Sequence, residues 1–405
     1  MMPGVIPREV DVAIAGAGPA GAAAALAFRR QGLSVVLLER STFPRDKICG
    51  DFLTPGSVAR LRELGAGEVE AESPSTLSGM RITFEGADVL SDFPASRHGW
   101  SMTRRSLDAV LARRAVAAGA TLVEQARVER FGREKDGMRW IEAIRPDGST
   151  QRWRARLLVE AGGRHGLIGR RVGWRVDDQR LKRYALWSQM AGVRGLSGRG
   201  EMHVFQGGYV GVAPLGSGAA NVTMVLTPGR MAGARGDTRG YFLDVLRRHP
   251  ELGPRLAAAC LISPIRGLGP LACSARRLAG DGLALVGDAC GFVDPFTGEG
   301  VFMALESGRL LAESVGSLDG SQALERGLSR YEAAWRLAFT SKLRLCRLLQ
   351  VVIARPWLAR RVTRALVSRK DLADRMVGAT GDLLPASSVL NPAYLGRLLL
   401  AGMIG

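Results

Sequence analysis

The sequence is short of cysteine, aromatic residues, acid and long apolar runs, and each shortage narrows what the chain can be. Its five cysteines (Cys49, Cys260, Cys273, Cys290 and Cys346) are odd in number, widely spaced and without a C-x-x-C pair. That excludes a disulfide framework and a zinc site, so no metal is expected, and a reducing cytoplasm fits the pattern. Aromatic residues make up 6% of the chain, and no basic cluster is interleaved with them as a nucleic-acid platform requires. No apolar run is long enough to span a bilayer. Val12 to Phe28 is uncharged enough to pass for a signal peptide, but Arg8, Glu9 and Asp11 precede it. Acid is outnumbered, with 38 Asp and Glu against 56 Lys and Arg, a formal charge of +18. Such an imbalance attracts anionic partners. From Tyr331 onward twelve Lys and Arg face four Asp and Glu, so the last fifth of the chain carries +8 of the excess. Without a nucleic-acid platform, an anionic membrane surface is the partner this charge fits.

What is present is an ordinary globular composition over 405 residues, 46% hydrophobic and 23% charged, which predicts more than one domain and no disordered tract. The chain is organised around Val10 to Arg40. Val10 to Ala15 is an apolar run suited to a buried parallel strand, and Ala20 to Arg30 is an alanine-rich helix with Gly32 at its left-handed cap. Between them Gly16, Gly18 and Gly21 give the G-x-G-x-x-G spacing, with Pro19 and Ala20 in the same turn. The first glycine allows the tight turn, the second lets a pyrophosphate approach backbone at the helix N-terminus, and the third packs helix on sheet. The second strand, Ser34 to Leu38, ends at Glu39 and Arg40. A carboxylate there, eighteen residues beyond Gly21, can accept the hydroxyls of an adenosine ribose.

Three further stretches extend the pattern. The loop Arg45 to Asp51, RDKICGD, follows the second strand, and together with the glycine motif and the Glu39-Arg40 strand end it resembles the geranylgeranyl reductase family. That family belongs to the FAD-dependent enzymes sharing the para-hydroxybenzoate hydroxylase fold. The resemblance implies FAD as cofactor and places Cys49 and Gly50 near the isoalloxazine ring and the substrate cavity. It implies that Arg104, in an R-x-x-L-D pattern with Leu107 and Asp108, lies near the ribityl and phosphate portion, and that Val128 contacts adenine through backbone groups. In the second anchor, Gly282 to Ser314, Asp288 can accept hydrogen bonds from ribityl hydroxyls. Asp294-Pro295-Phe296-Thr297-Gly298-Glu299-Gly300 then opens a helix, where small residues at Gly298 and Gly300 bring N–H donors and the helix dipole to the pyrimidine edge. Two departures stand out. The second glycine motif reads Gly162-Gly163-Arg164-His165-Gly166, without the family's aspartate, which puts direct use of NAD(P)H as external reductant in question and leaves the electron donor unknown. His165 reads as a surface or phosphate-facing residue. The reductases' Y-x-W-x-F-P element appears as Tyr209 to Pro214 with Gly211 and Ala213 in place of the bulky residues. This implies a reshaped cavity and argues against halogenation. Tyr209, Phe296 and Cys49 are the candidate cavity residues, while Trp187, Phe205 and Tyr209 equally suit a sheet core.

The expected fold is α/β, a Rossmann-like FAD-binding domain with an inserted, mainly antiparallel β substrate domain and a C-terminal helical region. The FAD-binding parts are residues 1–75, 101–180 and 276–320, the substrate parts 76–100 and 181–275, and the helical region 321–405. Val58 to Leu64 and Thr103 to Gly119 read as helices, Arg81 to Leu90 as a strand, and Thr121 to Arg130 as the next parallel strand. Met138 to Ile144 and Gln151 to Val159 belong to a three-stranded meander, and Tyr184 to Leu226 forms the substrate platform. Tyr331 to Arg355 is a long helix broken by Pro356, then a basic amphipathic segment and an uncharged apolar end. That region reads either as a helical cap over the substrate domain or as an interfacial membrane element.

The expected activity is that of an FAD-dependent reductase or dehydrogenase of a hydrophobic isoprenoid, quinone or polyketide-like molecule. A flavin monooxygenase acting on an aromatic or quinone-like lipid is the alternative, and a flavoprotein without chemistry the third reading. The chemistry of the site has to decide, because one fold serves many reactions.

Overall fold

The computed structural model of the protein describes residues 8–94, 96–316, 318 and 320–404. Its first layer is a parallel sheet in the order Leu283–Leu285, Thr150–Glu160, Arg8–Ala15, Val35–Leu38, Thr121–Val123. Val12, Ala13 and Ile14 are wholly buried at its centre, as a parallel strand covered on both faces requires. The helix Pro19–Arg30 packs against Gly300–Val315 and Arg104–Ala117. Small residues make the first contact unusually close: a Cβ on Gly308 would lie 2.6 Å from the Ala20 carbonyl oxygen. Thr150–Glu160 also starts the expected antiparallel meander with Arg139–Ile144 and Arg127–Arg133.

The second layer is the platform, ordered Cys260–Leu261, Tyr184–Ala191, Ala219–Leu226, Gly208–Gly216, Gly200–Phe205, Gly79–Phe84, Ala87–Asp92. Period-two alternation gives each strand two different faces. Met202 and Val204 face a cavity. Glu201 and His203 point the other way, where Arg255 and His249 from the helical segments behind the sheet meet them.

Two strands differ from expectation. Arg81 to Leu90 is a hairpin rather than one strand, because Glu85 and Gly86 both take positive φ (48° and 85°), the geometry of a tight two-residue turn. Thr121 to Arg130 is likewise divided. Only Thr121–Val123 runs parallel to Val35–Leu38, and after Gln125, at φ 55°, the chain enters the antiparallel meander with Val128 in it.

The C-terminal helix begins earlier than expected, at Ser321, and runs 33 residues to Ile353. Its first half belongs to the first layer: Tyr331, Trp335 and Phe339 share a core with Val12 and Leu37, and the Tyr331 hydroxyl donates to the Leu285 carbonyl (2.7 Å). Its second half carries Leu345 and Leu349 into another core with Pro356–Ser368, Lys370–Thr380 and Pro392–Ile404. Of these, Pro356–Ser368 and Lys370–Thr380 lie over the Gly79–Asp92 hairpin. Pro356, whose missing N–H costs nothing in a first turn, starts a helix rather than only ending one. Among the described residues no helix is long and apolar enough to cross a membrane.

Candidate active site

At the nucleotide end, Gly18 is the N-cap of Pro19–Arg30 and offers no side-chain cap, so the first N–H groups of the helix await an acceptor. A Cβ on Gly18 would stand 3.7 Å from the Nη2 atoms of both Arg45 and Arg104. Asp108 fixes these two guanidiniums, taking Arg104 Nε and Nη2 at 2.7 and 2.8 Å and Arg45 Nη1 at 2.8 Å. Thr103 caps the helix that carries Arg104 and Asp108. Backbone donors, a helix dipole and the two arginines, with Asp108 Oδ2 4.0 Å from the same point, face Gly18, a donor set that a diphosphate would fit. Buried Glu39 accepts from the N–H groups of Ala17 and Ser41, both at 3.1 Å. Ala126 N–H donates to its carbonyl (2.8 Å), which brings the start of the Val128 strand alongside. Arg40 is exposed and turned to solvent.

The second glycine loop is shaped by a residue that sequence reasoning missed. Glu160, buried at the strand end, accepts from Gly162 N–H (2.8 Å) and Ile168 N–H (2.7 Å), while burial raises its pKa. Its signal was an acid two residues before the glycine pair. His165 is exposed, as expected.

Past the strand Leu283–Leu285 stands half-buried Asp288, whose carboxylate meets no hydrogen-bond donor among the described residues. Asp294 accepts from Phe296 N–H (3.0 Å) and the Tyr209 hydroxyl, and burial lifts its pKa to about 6. Pro295 follows in a single 3₁₀ turn, and Gly298 closes it at φ 70°. A Cβ on Gly298 would lie 2.6 Å from the Phe52 ring, so only glycine brings the backbone to Gly300 at the start of the next helix. Across from it, Cys49 is half-buried and its thiol is pushed up by burial against the opposing pull of Arg104, which leaves it a neutral thiol. The Cys49 carbonyl and the Asp51 carboxylate share Asn221 Nδ2, each at 2.8 Å. Asp51, at φ 53°, is a second missed residue: burial raises its carboxyl to about 7. Gly50 lies between them with open space at its Cβ position. An open helix N-terminus, a ribose-height carboxylate and an unpartnered Asp288 together fit FAD.

Beyond the ring-side loop lies a cavity of about 70 Å³. Phe52, Met80, Met202 and Phe296 form its floor and wall, and Ala359, Val362, Leu366 and Val377 its roof. Among the described residues no charged side chain lines it, and Thr297, Thr363 and Thr380 are its only polar ones. Of the three cavity candidates, Phe296 lines it. Tyr209 stands behind Phe296, ring edge to face at 5.0 Å, and Cys49 lies outside the lining. Trp187 and Tyr209 are buried in the sheet core. The roof was not legible as a cavity wall, since helical periodicity shows a buried face but not what it is buried against.

The FAD binding domain family matches residues 9–343, and the chain belongs to it: the protein is an FAD-dependent oxidoreductase. Within that class it falls in the geranylgeranyl reductase group. It is 31% identical over 329 residues to menaquinone reductase of Mycobacterium tuberculosis, covering 77% of this chain and 78% of that protein. To digeranylgeranylglycerophospholipid reductase 2 of Methanopyrus kandleri it is 30% identical over 345 residues, covering 82% and 83%. The crystal structure of CmlS, a flavin-dependent halogenase, shares the fold at a TM-score of 0.79 with 22% identity, over 97% of this chain and 77% of that one.

Proposed function

We propose that the protein reduces a hydrophobic molecule bearing an isoprenoid or comparable hydrocarbon chain, such as a prenylated quinone or lipid. The observation that carries this reading is the cavity without a charged lining residue, which ends at Phe296 and Thr297 in the loop that would hold the flavin's pyrimidine side. Such a wall favours hydrocarbon and offers no partner to an ionised group. Two reductase relatives of 30–31% identity support it.

Bound FAD would supply the two-electron chemistry. The chain's own residues divide the remaining work. Gly16 to Gly21, Arg45 and Arg104 take the pyrophosphate, Glu39 the adenosine ribose and Asp288 the ribityl chain. The N–H groups from Gly298 to Gly300, with the helix behind them, favour negative charge at the pyrimidine edge. The roof helices exclude water from the hydrocarbon. NAD(P)H is the proposed external reductant, and an anionic membrane surface the proposed source of substrate.

The test is anaerobic reduction of the purified flavoprotein, followed by a panel of prenyl quinones, prenyl lipids and alkylated phenols, with oxygen admitted in parallel samples. Reoxidation by a prenylated substrate under nitrogen, with a product two hydrogens heavier, is the expected result. Oxygen consumption with a hydroxylated product would replace this reading by the monooxygenase one.

A further inference from the structure

Behind the cofactor loop sits a buried charge cluster that the roles above do not use. Glu299 belongs to the loop, Lys342 to the long C-terminal helix, and Asp382 to the turn after Lys370–Thr380. Lys342 Nζ donates to Glu299 Oε1 (2.7 Å) and to Asp382 Oδ1. Thr54 Oγ1 donates to Asp382 Oδ2 (2.6 Å), and Lys342 Nζ lies 5.3 Å from the centre of the Phe302 ring. Side-chain exposures of 4% for Glu299, 10% for Lys342 and 1% for Asp382 put all three out of water. The neighbours of the cluster, Thr297 and Gly381, both line the cavity. Three chain segments that meet at the cofactor loop and the cavity are thus joined by one cation and two carboxylates.

Two carboxylates on one buried ammonium leave either a net negative charge or one retained proton, and burial favours the proton. Desolvation, with the like charge of Asp382 next, raises Glu299 to about 8 against the pull of Lys342, and Lys342 itself is raised by both carboxylates. Burial raises the Asp382 carboxyl as well, so the two carboxyls together retain one proton at pH 7, and the cluster acquires a negative charge as pH passes through about 8. The other titratable groups facing it are the Cys346 thiol, held neutral by burial, and Asp294 on the same loop, raised to about 6.

We propose that Glu299, Lys342 and Asp382 form a positioning cluster that fastens the C-terminal cap to the cofactor loop and sets the reduction potential of the bound flavin and its dependence on pH. The proposal rests on FAD binding but not on the substrate assignment, and its readouts need no substrate, so the two fail separately. Negative charge gained beside the pyrimidine edge disfavours adding electrons there, so the wild-type potential falls more steeply above pH 8 than a flavin without this neighbour.

The measurement is the flavin midpoint potential from pH 6 to 10 in the wild type and in Glu299→Gln, which retains an acceptor for Lys342 but has no proton to lose. Glu299→Gln is expected to lose the inflection near pH 8 and, at pH 9, to favour reduced flavin over the wild type at least tenfold, a shift of ~30 mV for two electrons. Asp51→Asn is the control and is expected to keep that inflection, since Asp51 titrates separately at about 7. Lys342→Met is expected to weaken the cap, read as a lower thermal midpoint, with Lys342→Arg restoring it. A potential curve for Glu299→Gln that overlays the wild type overturns the proposal, whatever Lys342→Met does to folding.

Discussion

Glu39 and Asp51 show at the scale of single residues what a sequence does and does not disclose. Glu39 could be singled out because what places it is local: a strand, a glycine turn and a helix within thirty residues set it at the end of the second strand. In the structure its carboxylate already accepts two backbone N–H groups. Glu39→Ala is expected to weaken FAD binding by roughly 1.5–3 kcal/mol, about one to two orders of magnitude, the worth of a charge-assisted contact. Fluorescence titration of the deflavinated protein measures it, and unchanged affinity would remove Glu39 from the site. Asp51 was hidden because its partner Asn221 lies 170 positions away. Its carboxyl, about 7 in the folded protein against an ordinary 3.8, is protonated more readily in the native state than in the unfolded one. Its contribution to stability is therefore complete below about pH 4 and lost as pH rises through 7. Asp51→Asn is expected to flatten the decline in thermal midpoint of the flavin-loaded protein between pH 4 and 7. An Asp51→Asn midpoint whose pH dependence parallels the wild type across that window would contradict the assignment.

Among the elements, those with a period and a stop signal were readable, and those defined by a partner were not. The helix Arg104–Ala117 ends where Gly119 predicts, whereas the strand Arg81 to Leu90 concealed a hairpin. Glu85 adopts positive φ only because Gly86 and the facing strand complete the turn, and the alternation on either side reads through it. The same limit applied to the cap. Pro356–Ser368 is plainly amphipathic, yet only the fold shows that Ala359, Val362 and Leu366 close the cavity. Ala359 has the smallest side chain of the roof residues and is 4% exposed. Ala359→Phe is expected to fill the cavity and lower turnover of a long-chain substrate at least tenfold while leaving FAD affinity unchanged. Overpacking also costs about 1–3 kcal/mol of stability, which thermal unfolding reads independently. Full turnover in that variant would mean the substrate lies elsewhere.

For the molecule as a whole the question is where its excess positive charge is spent. Much of it is paired: Arg360 meets Glu85, Arg397 meets Asp371, and Lys342 is enclosed in the cluster described above. Arg355 and Arg364 are exposed and have no acidic partner among the described residues. Arg364 shares one helical stripe with Trp357, Arg360 and Val367, and Trp357 and Val367 are 59% and 53% exposed. Pro392–Ile404 lies alongside, with Arg361 Nε donating to the Leu399 carbonyl (3.1 Å) and Leu400 62% exposed. The outer face of the cavity roof is therefore both greasy and basic. Trp335 and Leu349, by contrast, are buried and belong to the cores, so removing everything after Arg330 would dismantle the first layer rather than test this face. Each basic residue near an acidic leaflet contributes about 1 kcal/mol, and inserted Trp and Leu side chains add apolar burial at ~25 cal/mol per Å². Sedimentation with vesicles of graded anionic lipid content is expected to show binding that rises with lipid charge. The double substitution Trp357→Ser and Leu400→Ser should reduce it, and Arg355→Gln with Arg364→Gln should weaken it and make it less sensitive to salt, all with FAD retained. Wild-type protein that stays in the supernatant at low ionic strength on strongly anionic vesicles would show that this face meets no membrane.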